Sequence, residues 1–510
     1  MLAFIINAKA QAKMEIANVL KLTLRDQGPI IQGRDVKGYY FFFQSDKIDK
    51  KTNEYTLRLT DQNLNSAKDI KFQDSKDVIL LESSYDGDGI MFTFFDSKAK
   101  TLENRLYGLD GKELNTYTKE LDKRGLAIIE TFYGLGTGEL SENKALFGIQ
   151  NEGFLSLYPV HENKKNVYEL NFYCTQTKKQ WTYSPADDDD DKKREYAQFI
   201  GATDSIAFLE VLKFDRNNSK KSTSFLTGFY LNSGKIAFEM PTIDKDYQLY
   251  PMNISKREGT GNIILMGPYY NSDDRVMADK TIGMATWEIN SSGKILTTKY
   301  NSWSNDFGKY LSINDKGKID DIGYLYIHNI LQTSDGNFFA IGEGYKKTAD
   351  GVGIAMNILT HSYSNSVTKV TVTNFVMLKF DSKFNVIDAT IYEKNKNQIS
   401  LPGGAADFNS GPALAAFIKI IGGFDYAYTQ TNKDISSFVV GYTDYVKSDD
   451  YKGMTFNSIS YNDGTITRDK IDLKSKASST AVLPSKFGNV LVIDYYKKDK
   501  RLDVHMEKLN

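Results

Sequence analysis

The chain of 510 residues has one cysteine, four histidines and nine prolines. Its single cysteine, Cys174, excludes an intrachain disulfide and a cysteine-rich zinc site. The histidines have no HxH or HxxxH spacing, so we predict neither a metal site nor a catalytic histidine among His161, His328, His361 and His505. No apolar run approaches the roughly 20 residues that a membrane-spanning helix needs, and we expect no membrane span.

The charges also lack a predominant sign. Lys and Arg total 64, Asp and Glu total 65, and the net charge is −1. A chain without a basic excess has no whole-surface attraction for nucleic acid, so no nucleic acid partner is expected. Five aspartates at 187–191 precede three basic residues. We interpret this block as a solvated loop and leave calcium binding open, because the glycine and ligand spacing of a calcium loop is missing.

Motifs for nucleophilic or phosphate chemistry are missing too. There is no G-x-S-x-G elbow. The glycine-rich GLGTG at 134–138 is not followed by the Lys-Ser or Lys-Thr pair of a nucleotide-binding loop. We therefore predict no catalytic residue and no cofactor.

The sequence is rich in residues that form strands and turns. It contains 32 Tyr, 30 Phe and 38 Gly. Apolar and polar residues alternate in VLKLTL from Val19, YTLRL from Tyr55 and YELNF from Tyr168. This period of two predicts strands with one face in a core.

Hairpin patterns recur along the chain. One is an apolar strand that opens after Gly-Asn, as in GNIILMG from Gly261 and GNFFAIG from Gly336. Another is a strand, a glycine-containing turn and a short strand, as in FYLNSGKIAF from Phe229 and WEINSSGKIL from Trp287. Antiparallel hairpins repeated about every 60 residues are typical of a propeller. We predict an all-β fold, a β-propeller of about eight four-stranded blades, with seven as the alternative.

Seven complete repeats and one incomplete repeat can be delimited. They lie at 28–72, 77–120, 144–183, 195–239, 247–300, 325–392 and 423–472, and three strands remain at 478–509. A spare strand runs from Glu15 to Leu24. We predict that it completes the last blade and closes the ring, since this hides two sheet edges. Residues 13–510 are then a single propeller domain, which we expect to be a monomer.

Four long connections interrupt the repeats, at 121–143, 301–324, 346–369 and 394–422. Three follow the last strand of a repeat and one joins a second strand to a third. Connections of these two kinds lie on the same face of a four-stranded antiparallel blade, so all four are predicted on one face. We predict helical insertions at 122–134, 351–364 and 401–421, the last one with Pro412 near its start. We predict that these helices pack together as a cap over the central channel; the alternative is that each covers the edge of its own blade.

Aromatic residues near these insertions are the candidate ligand-binding residues, because aromatic faces serve sugar and peptide recognition. They are Tyr269, Tyr270, Trp303, Tyr310, Tyr345 and Tyr363. The alternative is that they pack between blades.

The N-terminus has an apolar run from Leu2 to Ile6, followed by the small residues Ala8, Ala10 and Ala12. This pattern is typical of a signal-peptidase site. We interpret residues 1–12 as the remnant of a secretory signal, with a buried N-terminal strand or helix as the alternative. The protein is then exported, to the periplasm or the cell surface.

The segment ILQTSDGNFFAIGEGY from Ile330 and the segment GNIILMG resemble blade repeats in secreted proteins of Bacteroidota. The whole chain is similar to an uncharacterised family of exported proteins of about this length. The resemblance implies the propeller fold and export, and it implies no activity.

The sequence favours a non-enzymatic binding or scaffold propeller that recognises a glycan, peptide or protein through its insertion-bearing face. The alternative is a glycan-acting hydrolase with carboxylates at the channel mouth, roughly 5–10 Å apart. A third hypothesis is a purely structural surface protein without a pocket. Fold alone does not separate them.

Overall fold

The computed structural model describes residues 12–23, 26–65, 67–135, 141–185, 194–214, 221–257, 260–349, 368–400, 411–448 and 450–509. The chain divides into two compact units. Unit 1 comprises Met1–Leu121, Ala427–Thr443 and Lys447–Asn510. Unit 2 comprises Asp122–Tyr426 and Asp444–Val446.

The described part of unit 1 is built from four-stranded antiparallel sheets. The first contains β2 (Gln27–Gln32), β3 (Asp35–Lys47), β4 (Thr52–Asp61) and β5 (Ala67–Ser75). The second contains β6 (Val78–Tyr85), β7 (Gly89–Asp96), β8 (Thr101–Gly108) and β9 (Glu113–Glu120). A third contains β28 (Tyr426–Thr431), β29 (Ser437–Lys447), β30 (Lys452–Asn462) and β31 (Thr465–Asp472), of which Tyr426 and residues 444–446 belong to unit 2.

The last sheet of unit 1 combines both ends of the chain. Its order is β1 (Lys13–Ala17), β34 (Arg501–Lys508), β33 (Asn489–Tyr496) and β32 (Ser479–Pro484). Strand β1 runs antiparallel to β34, with Ile16 opposite Leu502. The predicted completion of the last sheet by an N-terminal strand is confirmed.

The completing strand is shorter than predicted and begins earlier. It ends at Ala17 because Asn18 adopts a left-handed backbone with φ 60°. Beyond this turn, Lys21 forms an isolated antiparallel bridge with Gln44 of the first sheet. The N-terminal segment therefore bonds to the last and the first sheets of the sequence, and Ile16 and Val19 are buried in the core.

Unit 2 continues the same pattern. One meander contains β10 (Leu146–Ile149), β11 (Gly153–Glu162), β12 (Lys165–Cys174) and β13 (Gln180–Tyr183), and the next contains β14 (Arg194–Ala202), β15 (Ile206–Phe214), β16 (Ser222–Tyr230) and β17 (Ile236–Pro241). A single parallel residue pair, Asn166 with Arg194, joins these two meanders into one sheet. Whether they count as one blade or two decides between seven and eight, so the blade number stays a prediction.

Two further sheets complete unit 2 in the described chain. One contains β18 (Tyr247–Leu249), β19 (Asn253–Lys256), β20 (Ile263–Asn271), β21 (Gly283–Ile289) and β22 (Ile295–Ser302). The other contains β23 (Tyr324–Gln332), β24 (Phe338–Ala349), β25 (Thr368–Phe380), β26 (Val386–Tyr392) and β27 (Asn397–Ser400). The interior side chains of these sheets include Trp287, Phe338 and Leu378.

Burial is generally highest in the middle strands of the meanders and falls towards their last strands. Strand β7 is buried along almost its whole length, whereas β9, the outer strand of the same sheet, is mostly exposed or half-buried. The outer strands β5 and β31 carry charged residues in AKDIKFQDS and TITRDKID. Charges on an exposed edge discourage pairing with another chain. Repeated antiparallel meanders of this kind are the blades of a β-propeller, and the predicted fold class is confirmed.

The insertions contain two of the predicted helices. Helix α1 (Lys123–Tyr133) starts at Asp122, whose side chain accepts a hydrogen bond from the Gly125 amide at 2.6 Å, and Gly134 ends it with φ 68°. Helix α2 (Gly411–Ile420) has Pro412 at its second position. The helix predicted at 351–364 lies outside the described residues.

Each helix packs on a sheet of unit 2. Tyr133 of α1 contacts Tyr158 of β11, while Leu414 and Ile418 of α2 pack against Tyr345 of β24. Whether the three helices also form a common cap stays a prediction, because the third lies outside the described residues. The segment after α1 also meets the end of α2, because the amide of Glu142 donates to the Ile420 carbonyl at 2.7 Å.

Candidate functional site

A cavity of about 900 Å³ lies in unit 2. That volume is within the usual range for small-molecule sites. Every sheet of unit 2 contributes to its wall, and so do both helices. Insertions 121–143, 301–324 and 394–422 supply Phe132, Trp303, Lys316 and Lys419 among others. Three of the four predicted insertions thus contribute described residues to one cavity.

Tyrosine is the most frequent side chain of the wall. The lining tyrosines are Tyr158, Tyr168, Tyr196, Tyr250, Tyr270, Tyr324, Tyr326, Tyr345 and Tyr426. Tyr196 is 48% exposed, and Tyr324, Tyr326 and Tyr426 are half-buried. Tyrosine combines a flat apolar ring with a hydroxyl group, so this wall offers both stacking faces and hydrogen-bonding groups.

Two pairs of stacked rings form one part of the wall. Tyr326 stacks on Phe424 with centroids 4.9 Å apart and planes 17° apart. His328 stacks on Tyr426 at 4.4 Å and 9°. The two pairs meet edge to face, since the rings of His328 and Phe424 lie at 88°. Such contacts stabilise ring positions beyond simple burial.

Strand β23 explains why these side chains share a face. Side chains two residues apart in a strand point to the same side, which places Tyr324 and Tyr326 together. His328 lies at a register shift between Ile327 and Asn329, and its ring centroid is 4.9 Å from that of Tyr326. The partner rings Phe424 and Tyr426 follow α2, after the backbone has passed Gly423. A Cβ at Gly423 would lie 2.3 Å from Cδ1 of Ile399, so a larger residue would displace that side chain.

A buried charge network lies behind the stacked rings. The Nζ of Lys394 is 3.1 Å from Oε1 of Glu343 and 2.5 Å from Oδ2 of Asp425. The other Glu343 oxygen is 3.1 Å from Nε2 of His328. Glu343 also accepts hydrogen bonds from the backbone amides of Asp425 and Tyr426. One buried carboxylate therefore holds the imidazole and the segment that carries Phe424 and Tyr426.

Burial and charge set the protonation of this network. Burial raises the pKa of Asp425 to about 6; the Lys394 ammonium acts in the opposite direction and the Glu343 charge in the same one. Burial lowers the pKa of His328, although Glu343 opposes the effect. Burial lowers the pKa of Lys394, but the charges of Glu343 and Asp425 raise it by more, so the pKa lies above its ordinary value. At neutral pH, His328 is uncharged and Lys394 is an ammonium.

Exposed charges on the cavity wall are mainly positive. Lys144, Lys280, Lys316 and Lys419 are exposed lining residues. None of them forms an ion pair with another residue that the structure describes. The Nζ of Lys419 lies 5.7 Å from the centroid of the Tyr326 ring, a cation–π distance.

Carboxylates are few on the same wall. Within the described lining they are Glu142, which is exposed, and Glu195, which is buried and has Lys213 at 3.8 Å. The paired carboxylates Glu343 and Asp425 belong to the network behind the rings and share the Lys394 ammonium.

The structure distributes the six predicted aromatic residues between different places. Tyr270, Trp303 and Tyr345 border the cavity, but all three are buried. Tyr269 packs against Tyr247 and Tyr300 in the interior. Tyr310 is 41% exposed and its hydroxyl donates to the Val386 carbonyl away from the lining. Tyr363 lies outside the described residues. Their role in binding stays a prediction.

The described histidines lie on different strands, and the aspartate block at 187–191 is not part of the described structure. His161 is beside Asn166, with Nδ1 2.7 Å from the amide oxygen, and His505 is near Glu507. His328 alone of the described histidines borders the cavity. His361 and the aspartates at 187–191 lie outside the described residues. No group of three or more His, Cys, Asp or Glu side chains in the described chain is arranged to hold a metal ion.

Sequence reasoning missed the residues that form the exposed part of the wall, namely Tyr324, Tyr326, Phe424, Tyr426 and the four lysines. A signal exists for the first two: YLYIHNI from Tyr324 places large rings at alternate positions. The lysines have no local signal, because they come from separate segments. Among the helices that the structure describes, none has the length and apolar character needed to cross a bilayer.

The chain belongs to the family of unknown function DUF6770, whose model matches residues 1–510. The predicted membership of an uncharacterised family is confirmed. No curated protein matches the sequence significantly.

Several solved propeller structures are similar to the chain at low identity. The WD40 domain of SCAP from fission yeast is 8% identical, with a TM-score of 0.35, and the match covers 94% of this chain and 97% of that chain. The β-propeller domain of the Trilobed protease from Pyrococcus furiosus is 11% identical, with a TM-score of 0.32 and coverage of 77% and 98%. Prolyl oligopeptidase B from Galerina marginata is 10% identical, with a TM-score of 0.39 and coverage of 96% and 55%. These scores are below 0.5, so the fold assignment rests on the sheets themselves.

Proposed function

We propose that the protein is a ligand-binding propeller and that the cavity of unit 2 is its binding site. The proposal rests on the geometry of this cavity, because the family has no known function. The ligand is a glycan or a peptide segment that enters among the insertions. The observation that carries this proposal is the cavity itself, with half-buried tyrosines on its wall and exposed lysines beside them.

The composition of the wall favours binding over bond cleavage. A glycosidase needs two carboxyl groups facing the scissile bond. The described lining offers one exposed carboxylate, Glu142, whereas Glu343 and Asp425 are engaged with a buried ammonium. Rigid ring stacks such as Tyr326 on Phe424 suit recognition, because little side-chain freedom is lost when a ligand binds.

The experiment is a glycan and peptide array probed with the full-length protein, followed by titration calorimetry of each ligand found. Tyr326→Ala should lower the affinity about two- to tenfold, since stacking on an aromatic face contributes roughly 0.5–1.5 kcal/mol. Tyr230→Ala is the matched control, as Tyr230 is exposed in unit 2 but does not line the cavity. Equal losses in both variants, or no ligand at all, would contradict the proposal, and cleavage of a bound glycan would favour the hydrolase.

We also propose that the protein is exported, to the periplasm or the cell surface, as similar proteins of Bacteroidota are expected to be. The apolar run from Leu2 to Ile6 and the small residues Ala8, Ala10 and Ala12 support export. Fractionation of expressing cells and N-terminal sequencing test it. A cytoplasmic protein that retains its first twelve residues would overturn this part.

A further inference from the structure

The charge on the wall differs from the charge of the chain. Over the whole sequence, basic and acidic residues balance at 64 and 65. The described cavity wall has four exposed lysines and one exposed carboxylate, that of Glu142. An anionic ligand would therefore be attracted to this wall, although the chain as a whole is close to neutral.

The positive groups are lysines, and no arginine occurs in the described lining. Arginine binds a single carboxylate or phosphate with two parallel hydrogen bonds, whereas lysine acts as a point charge with freely rotating donors. Lysines on separate segments, such as Lys144 and Lys316, therefore suit several anionic groups distributed along a ligand.

The rings next to these charges suit sugar units. Tyr324 and Tyr326 are half-buried, and each exposes part of an apolar ring with a hydroxyl. A pyranose has apolar C–H faces and a polar rim, which match this combination. A peptide that adds a strand to a sheet is recognised through main-chain hydrogen bonds at the sheet edge, while this wall presents ring faces and ammonium groups.

We propose that the ligand of the unit 2 cavity is an anionic oligosaccharide, whose sugar ring stacks on Tyr326 while a carboxylate or sulfate group pairs with Lys419. The inference rests on the proposed binding function and specifies its ligand. The observation that supports this inference is the distance of 5.7 Å between the Lys419 Nζ and the centroid of the Tyr326 ring. The remaining lysines then contact further anionic groups of the same chain.

The experiment compares ligands of matched length by titration calorimetry with the full-length protein. The probes are an oligogalacturonate, its neutral methyl ester, a sulfated oligosaccharide and an oligoglutamate peptide. We expect an anionic oligosaccharide to bind at least tenfold more tightly than the ester and the peptide. Its affinity should fall as salt is raised, because screening weakens exposed charge pairs.

Substitutions on and off the cavity wall test whether the ligand binds in the cavity. Lys419→Gln and Tyr326→Ala should each weaken binding about two- to tenfold, whereas Lys294→Gln and Tyr230→Ala, which change exposed residues outside the lining, should leave it unchanged. Equal melting temperatures would show that all four variants remain folded.

The two proposals fail differently. Equal binding of the neutral ester, or tighter binding of oligoglutamate, with loss in Tyr326→Ala would overturn the anionic-sugar inference and retain the cavity as a binding site. No binding of either anionic oligosaccharide would likewise overturn only the anionic-sugar inference, whereas binding that none of the cavity variants changes would overturn both.

Discussion

The Nζ of Lys394 lies 3.1 Å from Oε1 of Glu343, and both side chains are fully buried. Glu343 is bonded in turn to His328 and to the backbone of Asp425 and Tyr426. An interior ion pair thus fixes a segment whose outer side chains border the cavity. Because the pair is fully buried, we expect its loss to lower the stability of the protein.

Lys394→Met should strongly destabilise the protein. The substitution leaves Glu343 and Asp425 buried without their ammonium, and breaking a buried ion pair from one side costs about 3–5 kcal/mol. Urea denaturation measures the loss. The neighbouring Lys396→Met is the control, because Lys396 is exposed, and it should change the free energy of unfolding by less than about 0.5 kcal/mol. Similar values for the two variants would show that the interior pair contributes little.

Glu210→Gln should stabilise the protein increasingly as pH rises. Burial raises the pKa of Glu210 to about 8, although a hydrogen bond from Ser224 at 2.9 Å opposes this. The folded state therefore retains a proton that the unfolded state releases above about pH 4.3. Stability is lost as pH rises from there to about 8, at up to about 1.4 kcal/mol per pH unit.

Glutamine has no proton to lose, so this pH dependence should disappear in the variant. Unfolding in urea at pH 4, 5, 6, 7 and 8 gives the difference between the two proteins. At pH 4, where the carboxyl is neutral in both states, the difference should be small. A difference that stays constant over the whole series would contradict the buried, protonated state of Glu210.

Ile16→Ala should lower stability through the strand that completes the last sheet. Ile16 is buried and pairs in register with Leu502. Truncating a buried isoleucine to alanine costs about 2–5 kcal/mol. Lys13→Ala in the same strand is the control, because Lys13 is exposed. Thermal unfolding compares them, and an unchanged melting temperature in Ile16→Ala would mean that the N-terminal strand does not hold the sheet.

Asp122→Ala should loosen helix α1, which brings Phe132 to the cavity. The side chain of Asp122 caps the helix by accepting from the Gly125 amide, and losing such a cap costs about 1 kcal/mol. Amide hydrogen exchange should therefore accelerate about fivefold within Lys123–Tyr133. Asp122→Asn retains an oxygen acceptor and should behave as the parent protein. Faster exchange in the Asn variant as well would argue that charge, not capping geometry, holds the helix.

The sequence by itself determined the strands, the hairpins and their grouping. Alternation in a segment such as YELNF at Tyr168 and turns such as the Gly-Asn at Gly261 depend on residues next to one another, so they can be read locally. The surplus strand at one end and the missing strand at the other predicted the pairing of β1 with β34. Pro412 and the surrounding alanines likewise predicted α2, for the same local reason.

Only the tertiary structure decided which side chains meet. Glu343, Lys394 and Asp425 are separated by tens of residues, and no spacing rule links them. Tyr269 and Tyr270 are adjacent, yet strand pleating sends one into the interior packing with Tyr247 and the other to the cavity border. Proximity to an insertion could not separate these two cases. Local chemistry sets the conformation of each segment, whereas burial, charge pairing and the composition of a cavity depend on which segments the fold brings together.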